Sequence, residues 1–282
     1  MNRRRELMEI SVEELRGRAR LRFRLVPDIA SLIQDFAVSI ADEIRSKAGA
    51  PLSLILPVGP VAQYPILVEI TNRERLSWRN VHVFQMDEWL DWQGRLVGED
   101  HPLSFTGFIR RELLGKIDAE LRMPEGHHHW PDPFSPDRIS EELARQGGAD
   151  ACYGGIGYHG HVAFNEPALS RWHEVSVEEL RESLTRVVAL GDDSIVVQSI
   201  GCAGGDSQAI PPMAVTMGMR DILASRKIRL YCAAGERHRA VFRTAVAGDA
   251  GVDFPVTLVQ GHADAEVITD EATARPIVAQ LR

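Results

Sequence analysis

A glycine-rich stretch with two histidines and a carboxylate is the part of this sequence best equipped for chemistry. It runs Gly-Gly-Ile-Gly-Tyr-His-Gly-His-Val-Ala-Phe-Asn-Glu-Pro over residues 154–167, after an apolar, strand-like run. The glycines allow a ligand to approach the main chain closely. His161 and Glu166 are spaced so that a carboxylate could orient and charge an imidazole for acid–base work, with His159 as a second base nearby. A plain turn with two exposed histidines fits the spacing equally well.

Two further strand-like runs end in candidate residues. Asp87 and Glu88 directly follow one of them, and Leu56-Pro-Val-Gly-Pro60 ends another. Local sequence favours solvated loop or helix-cap positions for the two acids. Ligands of open parallel sheets bind beyond the carboxyl ends of the strands, however. A carboxylate that meets a histidine there would suit enolisation, in which one base moves a proton beside a carbonyl and another group opens the sugar ring.

Other patterns point away from metals and cofactors. Gly155-Ile-Gly157 lacks the third glycine of a dinucleotide-binding turn. The histidines at 127–129 favour a structural or surface role, because consecutive strand residues point to opposite faces. We therefore expect neither a metal ion nor a cofactor. The three cysteines form no CxxC pair and suit buried apolar positions in a reducing compartment; they are Cys152, Cys202 and Cys232.

Strand and helix patterns alternate along the chain. Strands are predicted at 21–26, 52–56, 81–86, 127–130, 149–153, 228–233 and 256–259. Helices are predicted at 27–47, 63–76, 104–117, 138–146, 219–224 and 237–247. This alternation predicts one doubly wound, Rossmann-like α/β domain over 1–282, with a mostly parallel sheet and helices on both faces.

Two segments depart from the alternation. Residues 1–19 are predicted to be a charged N-terminal extension that contains a short helix capped by Ser11. The sequence Val-Glu-Glu-Leu occurs at 12–15 in this helix and again at 177–180. The second occurrence indicates another helix start of the same kind rather than a repeat. Residues 168–210 are polar and end in a Gly-rich run, so we predict that they form a lid over the site.

Composition narrows the classes of partner. The chain has 282 residues, of which 44% are hydrophobic and 26% charged, and its formal net charge is −8. Such a charge argues against nucleic acid or an anionic membrane as a partner and leaves a small molecule. No apolar run is long enough to span a bilayer and no signal peptide is visible, so we expect a cytoplasmic protein. Homo-oligomer formation stays open.

Several motifs together resemble the glucosamine-6-phosphate deaminase family, which is related to 6-phosphogluconolactonases. Met86-Asp-Glu-Trp89 is similar to the family's Met-Asp-Glu-Tyr element, and His101-Pro-Leu-Ser-Phe105 to its His-Pro-x-Ser-Tyr segment. Residues 154–167 match its Gly-Gly-x-Gly-x-Asp-Gly-His-x-Ala-Phe-Asn-Glu-Pro signature almost throughout. The similarity extends over about 52–271.

The resemblance implies a cofactor-free reaction on an amino sugar phosphate, namely ring opening, aldose-to-ketose isomerisation and loss of ammonia. Asp87 would move the proton between C1 and C2, His161 would assist ring opening, and Glu166 would hold and tune His161. The expected substrate-binding residues are the neighbours of these groups in the three motifs and in the phosphate-binding segments: Gly59, Pro60, Glu88, Gly155, Gly157 and His238.

The sequence also departs from the family pattern. The family's Asp two residues before the active histidine is His159 here, which should lower the tendency of His161 to hold a proton. The family's phosphate loop, with its hydroxyl side chains, reads Val-Gly-Pro-Val over 58–61. The late phosphate lysine falls on His238 and a phosphate arginine on Ile200. Unless one of Arg186, Arg237 and Arg239 replaces them, we expect an unphosphorylated sugar or one with a different polar tail.

Two alternatives remain at this point. A sugar isomerase or a lactonase of the same fold could use the same histidine and aspartate. The second alternative is a non-catalytic sugar-binding sensor, because sugar-sensing domains of some transcriptional regulators resemble this fold. Residues 1–20 are too short for the helix-turn-helix of such a regulator, and a sensor has no reason to keep Asp87, His161 and Glu166 together. The sequence therefore favours an enzyme.

Overall fold

A seven-stranded parallel sheet organises the molecule. The computed structural model describes residues 3–167 and 174–277. Their strands are β1 (Arg22–Val26), β2 (Leu52–Leu56), β3 (Val81–Gln85), β4 (Asp87–Leu90), β5 (His128–His129), β6 (Ala151–Gly155), β7 (Arg186–Ala189), β8 (Met213–Thr216), β9 (Ile228–Cys232) and β10 (Ala265–Asp270). The main sheet has the order β1-β10-β9-β6-β2-β3-β5 with every pairing parallel, and β4-β8-β7 form a small antiparallel sheet.

Helices cover both faces of the main sheet, as the alternating pattern predicted. They are α1 (Arg3–Glu9), α2 (Val12–Arg18), α3 (Ile29–Lys47), α4 (Gln63–Glu74), α5 (Phe105–Phe108), α6 (Asp137–Arg145), α7 (Val177–Arg181), α8 (Asp192–Cys202), α9 (Met219–Leu223), α10 (Arg239–Ala247) and α11 (Glu271–Ala274). After α5 the chain continues through a π-helical turn, Ile109–Leu113, and a 3₁₀ turn, Leu114–Lys116. The helix predicted over 104–117 is therefore present, but is not one regular α-helix.

Strand β2 shows why both faces must be covered. Successive side chains of a strand point to opposite faces of its sheet. Leu54 belongs to the apolar cluster that contains Phe36 of α3, whereas Ile55 belongs to the cluster that contains Phe242 of α10. All four side chains are buried. A strand that is apolar on both sides cannot lie on an open face, which accounts for the doubly wound fold.

The N-terminal extension is docked on the main domain. Ser11 caps α2 through a capping box with Glu14, as predicted, and Ser176 caps α7 in the same way with Glu179. The guanidinium of Arg243, from α10, donates to the backbone carbonyls of residues 7, 10 and 274. The extension also contributes Leu7 and Leu15 to the core.

One predicted strand is wrong. Residues Pro255–Val259 form a 3₁₀ helix that starts at Pro255, and a strand follows at Ala265–Asp270. Proline suits the first residue of a helix because its φ is fixed near −65° and it lacks an N–H. The short apolar run is buried in either conformation, so burial alone did not distinguish them.

The segment proposed as a lid, residues 168–210, contains both well-packed and exposed elements. Strand β7 pairs with β8 in the small sheet, and α7 buries Leu180 in the main core. Helix α8 instead exposes Val196, Val197 and Ile200. Residues 168–173 lie outside the described residues. The proposed lid is thus narrowed to α8.

The cysteines follow the prediction in two positions of three. Cys152 and Cys232 are buried in strands, whereas Cys202 is exposed at the end of α8, so its predicted burial is wrong. None of the described helices is long and apolar enough to cross a bilayer.

Candidate active site

A cavity of about 280 Å³ lies beyond the carboxyl ends of four adjacent parallel strands, β9, β6, β2 and β3. Each strand delivers residues to its lining through the segment that follows it. The lining includes Gly59, Pro60, Asp87, Gly155, Gly157, His161 and His238, together with Phe105, Gln198 and Tyr231. Seven of the ten predicted site residues therefore meet at this cavity.

Asp87 is the first residue of β4 and not part of a loop, contrary to the local reading of the sequence. It pairs with Thr216 of β8, which places it where the main sheet gives way to the small one. Its side chain is buried, and burial together with the charge of Glu88 raises the pKa of Asp87 well above its ordinary value of 3.8. A carboxyl group with a raised pKa holds a proton more readily than an ordinary one, which suits a group that takes up and returns a proton.

His161 faces the cavity from the loop that follows β6. A Cβ atom built on Gly157 would lie 1.8 Å from His161 Nε2, so only glycine leaves room for the ring. The pKa of His161 falls to about 3, chiefly because the ring is buried and also because of His159 and His238. The direction agrees with the effect expected from histidine in place of aspartate at position 159. Burial is the larger cause.

Glu166 lies beside His161, but its hydrogen bonds are with the start of α8. Glu166 Oε1 is 3.8 Å from His161 Nδ1, beyond hydrogen-bond distance. Its two oxygens accept instead from the amide of Gly191, at 2.9 Å, and from the Ser194 hydroxyl. Glu166 thereby caps the N-terminus of α8, where a negative charge is favoured. No hydrogen bond joins Glu166 to His161, and the role of Glu166 in holding and tuning His161 stays a prediction.

His159 is the second ring in this cluster. Its Nε2 is paired with the carboxylate of Asp193, in the first turn of α8. One ligand atom each from His159, His161 and Glu166 lie within 4.8 Å of one another. Neither His159 nor Glu166 lines the cavity, so they lie behind His161 as seen from the substrate side.

Glu88 has a structural task rather than the predicted contact with substrate. It does not line the cavity. Its carboxylate accepts from the amides of Trp89, Phe105 and Thr106 and from the hydroxyl of Ser104. Alternating strand residues point to opposite sides, so Asp87 and Glu88 could not both face the cavity.

None of the described residues that line the cavity is a lysine or an arginine. Burial lowers the pKa of His238, whose Nδ1 is 3.7 Å from the thiol of Cys232. Ile200 is exposed on α8 and lies outside the lining. The three candidate arginines lie elsewhere: Arg186 donates to Asn165, Arg239 donates to Ala272 and Glu236, and Arg237 is exposed.

The histidines at 127–129 behave as the alternation argument predicted. His127 stacks on His82 with ring centroids 3.8 Å apart, and His129 Nε2 is 3.1 Å from His82 Nδ1. His128 is buried and instead contacts Gln85. Among the described residues these side chains form no three-ligand group of the kind found at His159.

Several site residues were missed by sequence reasoning. Gln198 lines the cavity, and Asp193 and Ser194 hold His159 and Glu166. The run Gly-Asp-Asp-Ser over 191–194 reads as a helix start, since polar and acidic residues favour the first turn. That signal could have located α8. It could not have shown which loop the helix lies against.

No protein-family model matches the chain. The glucosamine-6-phosphate deaminase of Rhodopirellula baltica is 30% identical over 256 residues, which cover 90% of this chain and 95% of that protein. The chain belongs to the glucosamine-6-phosphate deaminase family. The deaminase of Shewanella loihica is likewise 30% identical, with 89% of this chain and 87% of that protein covered.

Solved structures agree with this family. A monomeric glucosamine-6-phosphate deaminase superposes with a TM-score of 0.77 at 25% identity, over 90% of this chain and 99% of that one. A 6-phosphogluconolactonase from Shewanella baltica gives a TM-score of 0.63 at 20% identity, over 89% and 97% of the two chains, which shows a shared fold. The protein is thus an enzyme of the glucosamine-6-phosphate deaminase family, with deaminase–isomerase-like function.

Proposed function

We propose that this member of the family deaminates and isomerises an amino sugar that carries no phosphate group. The observation that carries the substrate class is a cavity whose lining, among the residues that the structure describes, includes Asp87 and His161 but no lysine or arginine. The expected net reaction converts an aldosamine and water into a ketose and ammonia. Asp87, His161 and the loop glycines would act on the sugar directly.

The proposed chemistry needs two proton-handling groups on one sugar. The His161 imidazole, which faces the cavity through Nε2, would transfer a proton at the ring oxygen and so open the ring to the aldehyde. The Asp87 carboxylate would take the proton from C2 to give an enolamine and return it to C1. The resulting C2 imine would then add water and release ammonia. The raised pKa of Asp87 supports its part, because a carboxylate with a raised pKa is a stronger base towards the C2 proton than an ordinary one.

The electrostatics of the cavity oppose a dianionic phosphate. Phosphate groups are usually held by cationic side chains, hydroxyls and free backbone N–H groups acting together. Here Pro60 lacks an N–H, the loop 58–61 has no hydroxyl, and burial keeps His238 from being a ready cation. Hydrogen bonds to charged groups contribute about 1.5–3 kcal/mol each. The loss of two would weaken binding by roughly 10²–10⁴-fold.

Ammonia release from glucosamine and from glucosamine 6-phosphate tests the substrate class. We expect an efficiency on the phosphorylated sugar below roughly 10⁴ M⁻¹s⁻¹, an ordinary lower value for native substrates. The His238→Lys variant should raise the efficiency on glucosamine 6-phosphate at least tenfold, because it places an ammonium at the cavity. The matched control His238→Gln adds no charge and should give no such rise. A wild-type efficiency on glucosamine 6-phosphate above that threshold would refute the proposal that the substrate carries no phosphate group.

Lactone hydrolysis is the alternative that shares this fold. Its support is a shared fold with 6-phosphogluconolactonases, three of which are 18–21% identical to this chain. Hydrolysis of a sugar lactone requires no proton transfer between C1 and C2. Exchange of the C2 hydrogen of an amino sugar with solvent deuterium would therefore support the deaminase–isomerase proposal over a lactonase.

A further inference from the structure

We infer that His159, His161 and Glu166 bind a divalent transition-metal ion, with Zn²⁺ as the best match. One ligand atom from each side chain lies within 4.8 Å of the other two. The inference deepens the proposed function, on which it partly rests, since His161 takes part in both. It also revises the expectation from sequence that no metal is bound.

We place the ion on the Nδ1 atoms of the two histidines. Nδ1 of His159 and Nδ1 of His161 are both buried and both without a hydrogen-bond partner among the described residues. His159 uses its other nitrogen for Asp193, and His161 directs Nε2 towards Gly157 and the cavity. Buried polar atoms in native proteins nearly always have a partner. The Nδ1 atoms of His127 and His128 also lack a partner, but among the described residues only His159 and His161 belong to a three-ligand group, in which a shared cation would satisfy both nitrogens.

The carboxylate of Glu166 is placed to complete the set. Its Oε1 is 3.8 Å from Nδ1 of His161, too far for a hydrogen bond. Donor atoms of a tetrahedral zinc site are roughly 3.3 Å apart, since Zn–N and Zn–O bonds are about 2.0–2.2 Å long. The observed spacings are somewhat wider, and modest side-chain rotations would close them around an ion.

Asp193 supports the same reading from outside the cluster. Histidines that bind metals usually donate their second ring N–H to a carboxylate or carbonyl group, which orients the ring. Asp193 makes this contact with Nε2 of His159. Together Glu166 and Asp193 supply two negative charges, which match one divalent cation.

The ligand types select the metal. Two imidazoles and one carboxylate suit Zn²⁺ and its neighbours better than Mg²⁺ or Ca²⁺, which prefer oxygen ligands. Three protein ligands would leave a fourth position for water. A metal on Nδ1 of His161 would also keep the proton on Nε2, the atom nearest the cavity. The cation would thus orient His161 in place of the carboxylate that His159 replaces.

Metal content is the direct test. Purified, chelator-treated protein is titrated with Zn²⁺ and with Co²⁺, and bound metal is measured by mass spectrometry and by the visible absorption of cobalt. We expect one equivalent per chain for the wild type and at least a hundredfold weaker binding for His159→Gln. Asp193→Asn, a milder and more exposed change, should weaken Zn²⁺ binding 10–100-fold. Asp193→Asn keeps the inference testable if His159→Gln fails to fold.

The other histidine cluster supplies the matched control. His129→Gln removes one ring of the His82 cluster and should leave Zn²⁺ binding unchanged. Binding that is lost in His129→Gln, or that is equal in wild type and His159→Gln, would overturn the inference, as would less than a tenth of an equivalent in the wild type.

The readout also separates this inference from the proposed function. Stoichiometric zinc binding without ammonia release from any amino sugar would uphold the metal site and count against the deaminase proposal. Ammonia release by a chain that binds no zinc would uphold the deaminase and overturn the metal site.

Discussion

Glu166 Oε1 lies 3.8 Å from His161 Nδ1, but the Glu166 carboxylate accepts its hydrogen bonds from the start of α8, from the Gly191 amide and the Ser194 hydroxyl. The same carboxylate thus lies near His161 and at the start of α8, whose Gln198 lines the cavity. Any movement of α8 would change the surroundings of Glu166, and through it the electrostatics at His161. We therefore expect any closure of α8 over the cavity to change the electrostatics at His161.

Replacement of Asp87 by asparagine should reduce turnover about 10²–10⁴-fold, the usual contribution of a positioned acid–base group. Asparagine has the same shape but cannot accept the C2 proton. Steady-state ammonia release with the true substrate measures the effect. Asp100→Asn, at an exposed position of the chain, is the control and should be neutral. An unchanged rate for Asp87→Asn would remove Asp87 from the chemistry.

The same variant should stabilise the protein in a pH-dependent way. Because the pKa of Asp87 is raised on folding, the folded state disfavours its ionised form. As pH rises from about 3.8 to the raised pKa, the unfolded chain ionises first and stability falls. Asp87→Asn removes this penalty. Its free energy of unfolding should equal that of wild type near pH 4 and exceed it near pH 7, as denaturant titrations at both values can show. An equal difference at both pH values would contradict the linkage.

Replacement of Glu88 by glutamine tests its structural role. Two backbone amides now donate to the two oxygens of Glu88. In the glutamine variant an NH₂ group replaces one of these oxygens and faces a backbone N–H, so the free energy of unfolding should fall by about 1.5–3 kcal/mol. KM should change less than twofold, because Glu88 does not line the cavity. The control Glu99→Gln removes a half-exposed carboxylate and should alter stability by less than about 0.5 kcal/mol. A large rise in KM with unchanged stability would restore Glu88 to the substrate site.

Hydrogen exchange tests α8 as the lid. Its amides should exchange faster than those of β2 and β6 in the free enzyme, because its outer face is exposed, and should slow when substrate binds. Ser194→Ala removes one of the contacts with Glu166 and should accelerate exchange in α8 further. Ser207→Ala, at an exposed position beyond the helix, is the control. Exchange as slow in α8 as in the strands, with and without ligand, would rule out a lid.

The elements of this fold were largely readable along the chain, because strand and helix periodicities are local. Buried apolar runs such as 52–56 predicted the parallel strands, and the glycine-rich run 154–167 predicted the loop that bears His161. The run 256–259 was misread, because a short buried apolar segment has the same composition in a strand and in a 3₁₀ helix.

The sequence by itself determined which residue types stand at the strand ends, and so predicted that Asp87, His161 and Glu166 would meet at one cavity. Asp87 and His161 line it, whereas Glu166 does not. Only the tertiary structure decided what each neighbour does. Glu88 faces away from the cavity because adjacent strand residues point to opposite sides. Glu166 caps α8, and His159 pairs with Asp193, because a helix far along the chain packs against their loop. Such contacts join residues more than twenty positions apart, and no local periodicity records them.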